Sequence, residues 1–251
     1  MKKKLLFIYT LLALAITANA QHTYMGRIEY ERKVNIYAQM EEMEAQMSGN
    51  SFLEKMKSQI PKFNSSYFDL VFDTTRMMYK PGREVAGNNV FKMFGGGPAT
   101  DNIVLTEFAK DTVRANKNVF DQKFFVQDTV RVMDWKERDD VRTIAGFKCH
   151  KAVGRICDSV YVVAFYTEDI PVPGGPEMFG GLPGMIMELA IPRLHTTWVA
   201  GKVDLIAPKA EDFTIQEKGK KVNEKQLHDT IYDSFKKWGA MANRNVWWTV
   251  L

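Results

Sequence analysis

The sequence predicts an α+β protein, mainly antiparallel β, in which a curved sheet or half-barrel carries two or three helices. Most of the chain between residues 26 and 206 divides into short apolar or alternating segments separated by Asp, Asn, Gly or Pro turns. Residues 35–59 and 223–238 instead repeat apolar side chains at helical spacing. One stretch, residues 175–184, packs four glycines and two prolines around a few apolar residues, which specifies a backbone path rather than a helix.

The first twenty residues have the pattern of a secretory signal peptide. Lys2, Lys3 and Lys4 precede an apolar run over residues 5–16, and Ala18-Asn19-Ala20 forms a small-x-small cleavage site. The apolar run is shorter than the ~20 residues that span a bilayer. We therefore expect cleavage after Ala20, a periplasmic or secreted location, and a single domain over residues 21–251.

The charge of the chain excludes one class of partner. Removal of the signal segment, with its three lysines, lowers the formal net charge from +4 to +1. An electrostatic binder of nucleic acid would carry a basic surface, so we expect no nucleic acid partner. No second hydrophobic span follows the first.

The strands are predicted in order along the chain. Residues 26–34 alternate, with Ile28 and Tyr30 on one face and charged residues on the other, which indicates a half-buried strand. Residues 63–79 read as a hairpin around the turn formed by Asp73, Thr74 and Thr75. Further strands are predicted at residues 103–105, from 113 onward, and at 123–126, 130–135, 147–152, 159–166, 185–189, 196–206 and 211–216. Their spacing favours an antiparallel meander.

Helices are predicted near both ends. Ile36, Met40, Met43 and Met47 recur at helical spacing, and a capping box at residues 51–54 restarts a helix that ends at Pro61. The final helix is capped by Asn223 and carries an apolar stripe over residues 227–238. The apolar tail, residues 246–251, is expected to complete the sheet or to form an exposed contact surface.

The methionine stripe has two interpretations. The thioethers of Met40, Met43 and Met47 are suitable ligands for Cu(I). Such a stripe is more often the apolar face of an amphipathic helix that packs on a sheet or contacts a flexible partner. We favour packing or ligand contact and expect no metal.

The two cysteines, Cys149 and Cys157, would enter an oxidising compartment after export. A hairpin that turned at Val153-Gly154 would place them opposite each other, so a cross-strand disulfide is favoured over free thiols. A metal site with His150 is the sharper alternative. Neighbouring residues on a strand point to opposite faces, which argues against it.

Catalytic motifs are sparse. The histidines at positions 22, 150, 195 and 228 form no HExxH motif, and no serine lies in GxSxG. If distant segments assembled a catalytic site, His150 or His195 would be its base, and Glu168-Asp169 are paired acids that could transfer protons. We predict a protein without catalytic activity and without a cofactor.

Three pieces of sequence carry a resemblance to a known family. They are Ile144 to Cys149 with Lys151-Ala152, then Phe165 to Thr167 with Ile170-Pro171, then Gly175-Pro176, Phe179 and Gly181 to Ile186. Together they resemble the GLPGLI family of exported Bacteroidetes proteins, with Met185 in place of leucine and Phe165 in place of tryptophan. The resemblance implies no established activity. It implies a curved antiparallel sheet with helices across its concave face, similar to periplasmic lipoprotein carriers.

Composition favours a hydrophobic binding site. Sixteen phenylalanines, five tryptophans and fourteen methionines exceed what a tight, rigid core needs. We expect a lipid, an acyl chain or a hydrophobic peptide to bind on the concave face, at residues Pro176, Phe179, Leu182, Pro183, Met185, Met40, Met43 and Met47. Two alternatives are an accessory or assembly partner of an outer-membrane complex and a soft-metal (copper) binding protein. A purely architectural turn at residues 175–184 is also open.

Overall fold

The computed structural model describes residues 24–46, 57, 60–84, 99–119, 122–157, 159–238 and 240–251. Those residues form one mostly antiparallel sheet of twelve strands and three α-helices. The strands are β1 Gly26–Asn35, β2 Phe63–Phe72, β3 Arg76–Pro81, β4 Ile103–Glu107, β5 Thr112–Val119, β6 Gln122–Thr129, β7 Lys136–Ile144, β8 Phe147–Ile156, β9 Val160–Thr167, β10 Met185–Ile191, β11 Thr196–Asp204 and β12 Lys220–Val222. The helices are α1 Ile36–Gln46, α2 Glu224–Phe235 and α3 Ala240–Thr249.

The sheet consists of two meanders joined in the middle by β1. The order is β12-β6-β5-β4-β3-β2-β1-β11-β10-β9-β8-β7, and β1 pairs antiparallel with β2 on one side and β11 on the other. Only the short β12, which lies parallel to β6, departs from the antiparallel pattern among the described strands. The predicted meander is therefore confirmed, except that its first strand lies at the centre of the sheet.

A short connection forces the sheet to curve. The strands β6 and β7 are separated by ten strand spacings, so a flat sheet would place them ~48 Å apart. Residues 130–135, here called the seam segment, join them directly along the chain. Seven Cα steps reach at most ~25 Å. The two ends of the sheet must therefore approach each other, although no described strands pair across the gap.

The inward face of the curved sheet carries the main core. Alternate residues of each strand point to it, for example Ile28 and Tyr30 of β1 and Phe68 and Leu70 of β2. A much smaller apolar cluster, with Phe213 against Val71 and Met78, lies on the outer face. The core is therefore on the inside of the curve, as the alternating pattern predicts.

The three helices contribute to that inner core. Met40 of α1, Leu227 and Ile231 of α2, and Trp248 of α3 are all buried in it. We call α1, α2 and α3 together the helical cover. The Asn223 cap of α2 is confirmed, because its Oδ1 accepts from the Gln226 amide at 2.7 Å. No helix in the described part of the chain is both long and apolar enough to span a bilayer.

The strand predicted at residues 130–135 is wrong. These residues form the seam segment, and Val132 is 95% exposed. The next strand, β7, has exposed side chains at every position before Ile144, and most of them are charged. It lies at an edge of the sheet, where charged residues and a β-bulge discourage association with other strands. Its sequence lacks the apolar alternation that identifies a strand.

The predicted disulfide is also wrong. Cys149 and Cys157 are not bonded to each other: they lie near opposite ends of β8, which runs without a turn through Val153-Gly154. Eight residues of extended chain separate them by ~26 Å, whereas a disulfide needs Cα atoms within ~7 Å. Gly154 marks a close contact instead of a turn. A Cβ there would come within 3.0 Å of the Trp135 ring.

The C-terminal tail differs from both alternatives predicted for it. Residues 240–249 form α3, and Val246, Trp248 and Leu251 are at least 95% buried. The tail is therefore part of the core and is neither a strand nor an exposed contact surface. The short strand predicted at residues 211–216 is a 3₁₀ turn, Ala210–Phe213.

Several other predictions concern residues outside the described ranges. The signal segment, residues 1–20, the helix start at 51–54, and Met47 lie outside the described residues, as does the side chain of Met43.

The separation of the cysteines can be tested directly. We expect non-reducing peptide mapping of the purified protein to find Cys149 and Cys157 in separate peptides. We expect dithiothreitol to leave the melting temperature unchanged within error, because no intramolecular crosslink limits the unfolded chain. A Cys149–Cys157 crosslinked peptide would contradict the strand geometry described here.

Candidate functional site

The Gly-Pro segment, residues 175–184, lies against the start of β10 and is fixed by main-chain hydrogen bonds. Gly181 N donates to Pro173 O at 3.0 Å, and Ile186 N donates to Gly174 O at 2.9 Å. The amide of Phe179 donates to Pro176 O at 3.2 Å, which closes a tight turn. The predicted strand that follows is confirmed as β10. The segment is therefore a defined path in the core and not a loose loop.

Two glycines in this segment are required by close backbone contacts. A Cβ on Gly180 would lie 2.4 Å from Pro173 O, and one on Gly184 would lie 1.9 Å from Thr167 O. Neither distance is accessible to a real Cβ, and the neighbouring atoms belong to the main chain. The glycines let two stretches of backbone pack directly on each other.

The structure places most of the predicted ligand-binding residues in the core. Phe179 and Met185 are completely buried, Leu182 is nearly so, and Pro183 is exposed. Pro176 and Met40 are also buried. Phe179 lines a small cavity of about 10 Å³ with Arg131 of the seam segment, and the remaining lining includes Met77, Val113 and Met178. This volume holds about one water molecule.

A buried carboxylate lies at the turn of the Gly-Pro segment. Glu177 is fully buried and has a φ of 56°, the left-handed region that non-glycine residues rarely adopt. Its Oε2 accepts from Asn102 Nδ2 at 2.8 Å. The Tyr79 hydroxyl lies near the Glu177 carboxylate and lowers its pKa, and it accepts a hydrogen bond from Trp198 Nε1 at 3.0 Å. A strained, buried acid of this kind is a common feature of functional sites.

Two cations lie near this acid. Arg32 points inward from β1 and donates from Nη1 to Ala99 O at 2.9 Å, and Lys117 points inward from β5. We call Arg32, Tyr79, Asn102, Lys117 and Glu177 the buried polar cluster. Burial raises the pKa of the Glu177 carboxyl above its usual range, although Asn102, Lys117 and Arg32 all oppose that shift. Burial also lowers the pKa of the Lys117 ammonium to about 8, and the positive charge of Arg131 adds to this effect.

Lys117 and Arg131 together hold the last turn of the chain. Lys117 Nζ donates to Thr249 O at 2.8 Å and to Leu251 O at 2.7 Å. Arg131 Nη2 donates to Val250 O at 2.5 Å and to Glu224 Oε1 at 3.0 Å. We call this pair the cationic cradle. It binds three consecutive main-chain oxygens at the end of the chain.

The predicted base His195 contacts the helical cover. Its Nε2 lies 2.8 Å from Glu42 Oε1 of α1, and Glu42 Oε2 lies 3.0 Å from Arg244 Nη1 of α3. Gln39 Nε2 adds a hydrogen bond to Leu194 O at 3.1 Å. These contacts link two helices to the turn between β10 and β11. The alternative base, His150, lies on β8 with its ring 6.2 Å from that of Tyr166.

The remaining described surface contains one groove of mixed charge. A groove of about 560 Å³ opens near the β7 edge, between the seam segment and the turn that follows β8. Its lining mixes Asp134 with Lys136, Arg138 and Arg155, and Val132 and Tyr161 are also exposed there. Within the described ranges, no three His, Cys, Asp or Glu side chains cluster in a way that could hold a metal ion. The copper alternative depends on Met43 and Met47, whose side chains lie outside those ranges.

The charged part of this site was not predicted from the sequence. The charged residues of β1 were expected on the outer face, but Arg32 shares the parity of Ile28, Tyr30 and Val34 and is 1% exposed. Lys117 likewise shares the inward parity of the buried Val113 and Ala115 on β5. The sequence signal for these buried charges was a charged residue at a position where the alternation predicts an inward side chain. Glu177 stands inside the Gly-Pro segment, but nothing in its sequence context distinguishes a buried acid from an exposed one.

The Gly-Pro segment lies within a match to a known family. A sequence model described as "Protein of unknown function (Porph_ging)", a Bacteroidetes-type family, matches residues 153–188. The match runs from within β8 to β10 and includes the whole Gly-Pro segment with Glu177. The sequence matches no curated protein.

Several solved structures align with the structure of this chain. Two structures of PNGF-II, in space groups P21 and C2, each align over 84% of this chain with 13% identity and a TM-score of 0.52. The chain spans about a third of the length of PNGF-II, 34% and 33% in the two structures. An uncharacterized conserved protein from Thermus thermophilus aligns over 85% of this chain with 5% identity and a TM-score of 0.40. The PNGF-II alignment supports a β-rich fold and nothing about activity.

The close backbone contact at Gly184 generates a stability prediction. We expect Gly184→Ala to destabilise the protein by about 2 kcal/mol, because the added Cβ must displace the main chain of Thr167. Gly201→Ala is the matched control: that glycine is exposed on β11, and the nearest atom beyond its chain neighbours would lie 3.9 Å from the Cβ. We expect the control to change stability by less than about 0.5 kcal/mol. Urea unfolding of both variants measures the difference, and equal stabilities would contradict the assigned path.

The burial of Glu177 generates a pH prediction. A carboxyl group whose pKa is raised on folding contributes stability that is fully present below its unfolded value, near 4.5, and is lost as the pH rises through the raised value. Glu177→Gln removes that titration and keeps an acceptor for Asn102. We therefore expect the stability of the wild type to fall relative to Glu177→Gln as the pH rises above 4.5.

Urea unfolding between about pH 4 and pH 8 checks this expectation. Glu168→Gln is the control, because Glu168 lies exposed in the turn after β9. A pH-independent difference between wild type and Glu177→Gln would show that Glu177 does not titrate as its burial requires.

Proposed function

We propose that this protein is an exported, non-catalytic member of the GLPGLI family that binds a hydrophobic ligand in the cell envelope. The ligand is a lipid, an acyl chain or an apolar peptide, and its site is the inner face of the curved sheet beneath the helical cover. In this proposal the protein resembles periplasmic lipoprotein carriers in the general manner of binding. The likeness to PNGF-II contributes only a β-rich framework to the proposal.

One observation carries the proposal. The inner face of an open sheet is lined with apolar and aromatic residues, and helices cover it in place of a second sheet. Helices can separate from a sheet without breaking strand pairing, so this arrangement supports an interior that opens. The gap between the two edge strands of the sheet, β12 and β7, is where the opening can begin.

The ligand requires movement of the helical cover. The cavity beside Phe179 has a volume of only about 10 Å³, which is too small for an acyl chain. Polar side-chain contacts help to keep the cover in place: His195 to Glu42 ties α1 to the turn between β10 and β11, and Arg244 to Glu42 ties α3 to α1. Contacts of this kind can be broken and remade at modest cost. The described conformation is the closed one in this mechanism.

A weaker cover should bind a hydrophobic probe more tightly. Apparent affinity is the intrinsic affinity multiplied by the fraction of open protein, so a variant that favours opening gains affinity. We expect Arg244→Gln, which breaks the ion pair with Glu42, to bind the neutral probe N-phenyl-1-naphthylamine about threefold more tightly than wild type. Probe fluorescence in a titration measures this.

The matched control is Lys236→Gln. It breaks a solvent-exposed ion pair with Asp233, and we expect no change in affinity. Failure of the probe to bind either wild type or Arg244→Gln would refute the proposal. Mass spectrometry of organic extracts from natively purified protein provides a second measurement, in which co-purifying lipid is expected.

A further inference from the structure

We infer that the groove beside β7, here called the edge groove, binds a sugar that carries a carboxylate or a phosphate group. Its volume of about 560 Å³ lies within the range of small-ligand sites. The residues that carry the inference are Asp134 of the seam segment, Lys136 and Arg138 of β7, Arg155 of β8 and Tyr161 of β9. The inference goes beyond the proposed function, because this groove lies outside the core that the helices cover.

The strand register places the charged and aromatic lining on one face of the sheet. Lys136 of β7 is paired with Val153 of β8. Arg155 of β8 is paired with Tyr161 of β9. Cross-strand partners share a face, and so do residues two positions apart on one strand, which adds Arg138 to the set. The alternate residues of β8 point into the core, so the groove is on the outer face of the sheet.

The charge of the edge groove favours an anion. Three cations line it, and among the described lining residues one carboxylate, Asp134, opposes them. The nearby lysine on β8, Lys151, is already paired with Asp140. Lys136 and Arg138 are exposed and form no ion pair within the described ranges. A groove lined mainly by one sign of charge concentrates ligands of the opposite sign.

The remaining lining favours a sugar over a bare anion. Tyr161 is 58% exposed in the groove wall. The electron-rich face of an aromatic ring attracts the polarised C–H groups of a sugar ring. The Asp134 carboxylate can accept hydrogen bonds from hydroxyl groups, while Lys136 and Arg138 donate to them. An aromatic face, donors and an acceptor together suit a polyhydroxyl ligand, and the excess of cations selects one with negative charge.

Small probes test the inference on the full chain. Glucuronate, glucose 6-phosphate and glucose are titrated at low ionic strength, with acetate and inorganic phosphate as the bare anions. NMR chemical-shift titrations of isotopically labelled protein measure each dissociation constant. We expect at least one anionic sugar to bind about tenfold or more tightly than glucose, because charge-assisted hydrogen bonds are stronger than neutral ones. We also expect it to bind more tightly than the bare anion of the same group, and the two anionic sugars distinguish a carboxylate from a phosphate.

Substitutions locate the site. We expect the double variant Lys136→Gln/Arg138→Gln to lower the preference for the anionic sugar over glucose by about fivefold or more. Tyr161→Leu should weaken the binding of both sugars by about threefold and leave the preference unchanged, since it removes only the aromatic face. Lys148→Gln and Tyr232→Leu are the matched controls, at exposed residues outside the groove lining, and neither should alter binding. Every substituted side chain is exposed, so folding should be retained.

Each part of the inference has an outcome that overturns it. Equal affinity for glucose and both anionic sugars overturns the requirement for charge. A bare anion that binds as tightly as its sugar overturns the sugar assignment. A preference that survives the double substitution overturns the assignment to the edge groove, and binding of none of the probes overturns the inference as a whole. The proposed function is tested separately, because the double variant should bind N-phenyl-1-naphthylamine as wild type does.

Discussion

The six residues of the seam segment, between β6 and β7, impose the shape on which the other features depend. Because they connect strands ten positions apart in the sheet, the sheet must bend until its two ends approach. That curvature creates an inside, and the inside determines which face of every strand is buried. The seam segment also brings Arg131 beside Phe179 and aims Trp135 Nε1 at Gly180 O, 2.9 Å away. The connection therefore sets both the curvature of the sheet and the position of the Gly-Pro segment.

The interior that results is unusual because it contains charge. Arg32, Lys117 and Glu177 are each at most 3% exposed, and each lies on or against the inner face of a strand. Burying an ion costs desolvation free energy, and buried charged groups whose hydrogen bonds are only partly satisfied contribute little to stability. An inward acid at a strained φ and two inward cations are therefore easier to explain as parts of a site than as parts of a core. The Gly-Pro segment holds the acid, and the end of the chain supplies the oxygens that Lys117 binds.

The sequence predicted the architecture better than the site. Alternation identified β1, the β2–β3 hairpin and β9, and the Asn223 cap identified α2, because these signals are local. Gly154 was misread as a turn, since a glycine that admits a neighbouring ring looks the same in sequence as one that bends the chain. The charged strand β7 was missed because an edge needs no apolar face. The cationic cradle could not be predicted at all. Its lysine on β5 and its arginine in the seam segment contact residues of the last turn that are more than a hundred positions away in the sequence.

The central position of β1 has a consequence for how the protein folds. Its residue Arg27 is in register with Asp204 of β11, so the pairing that unites the two meanders joins residues 177 positions apart in the sequence. The meander over β2 to β6 can form from neighbouring hairpins, whereas the middle of the sheet must wait until β11 has been synthesised. Contacts between such distant segments slow folding. Until they form, the open flank of β1 exposes unpaired backbone groups, and the half-assembled chain is at its greatest risk of aggregation.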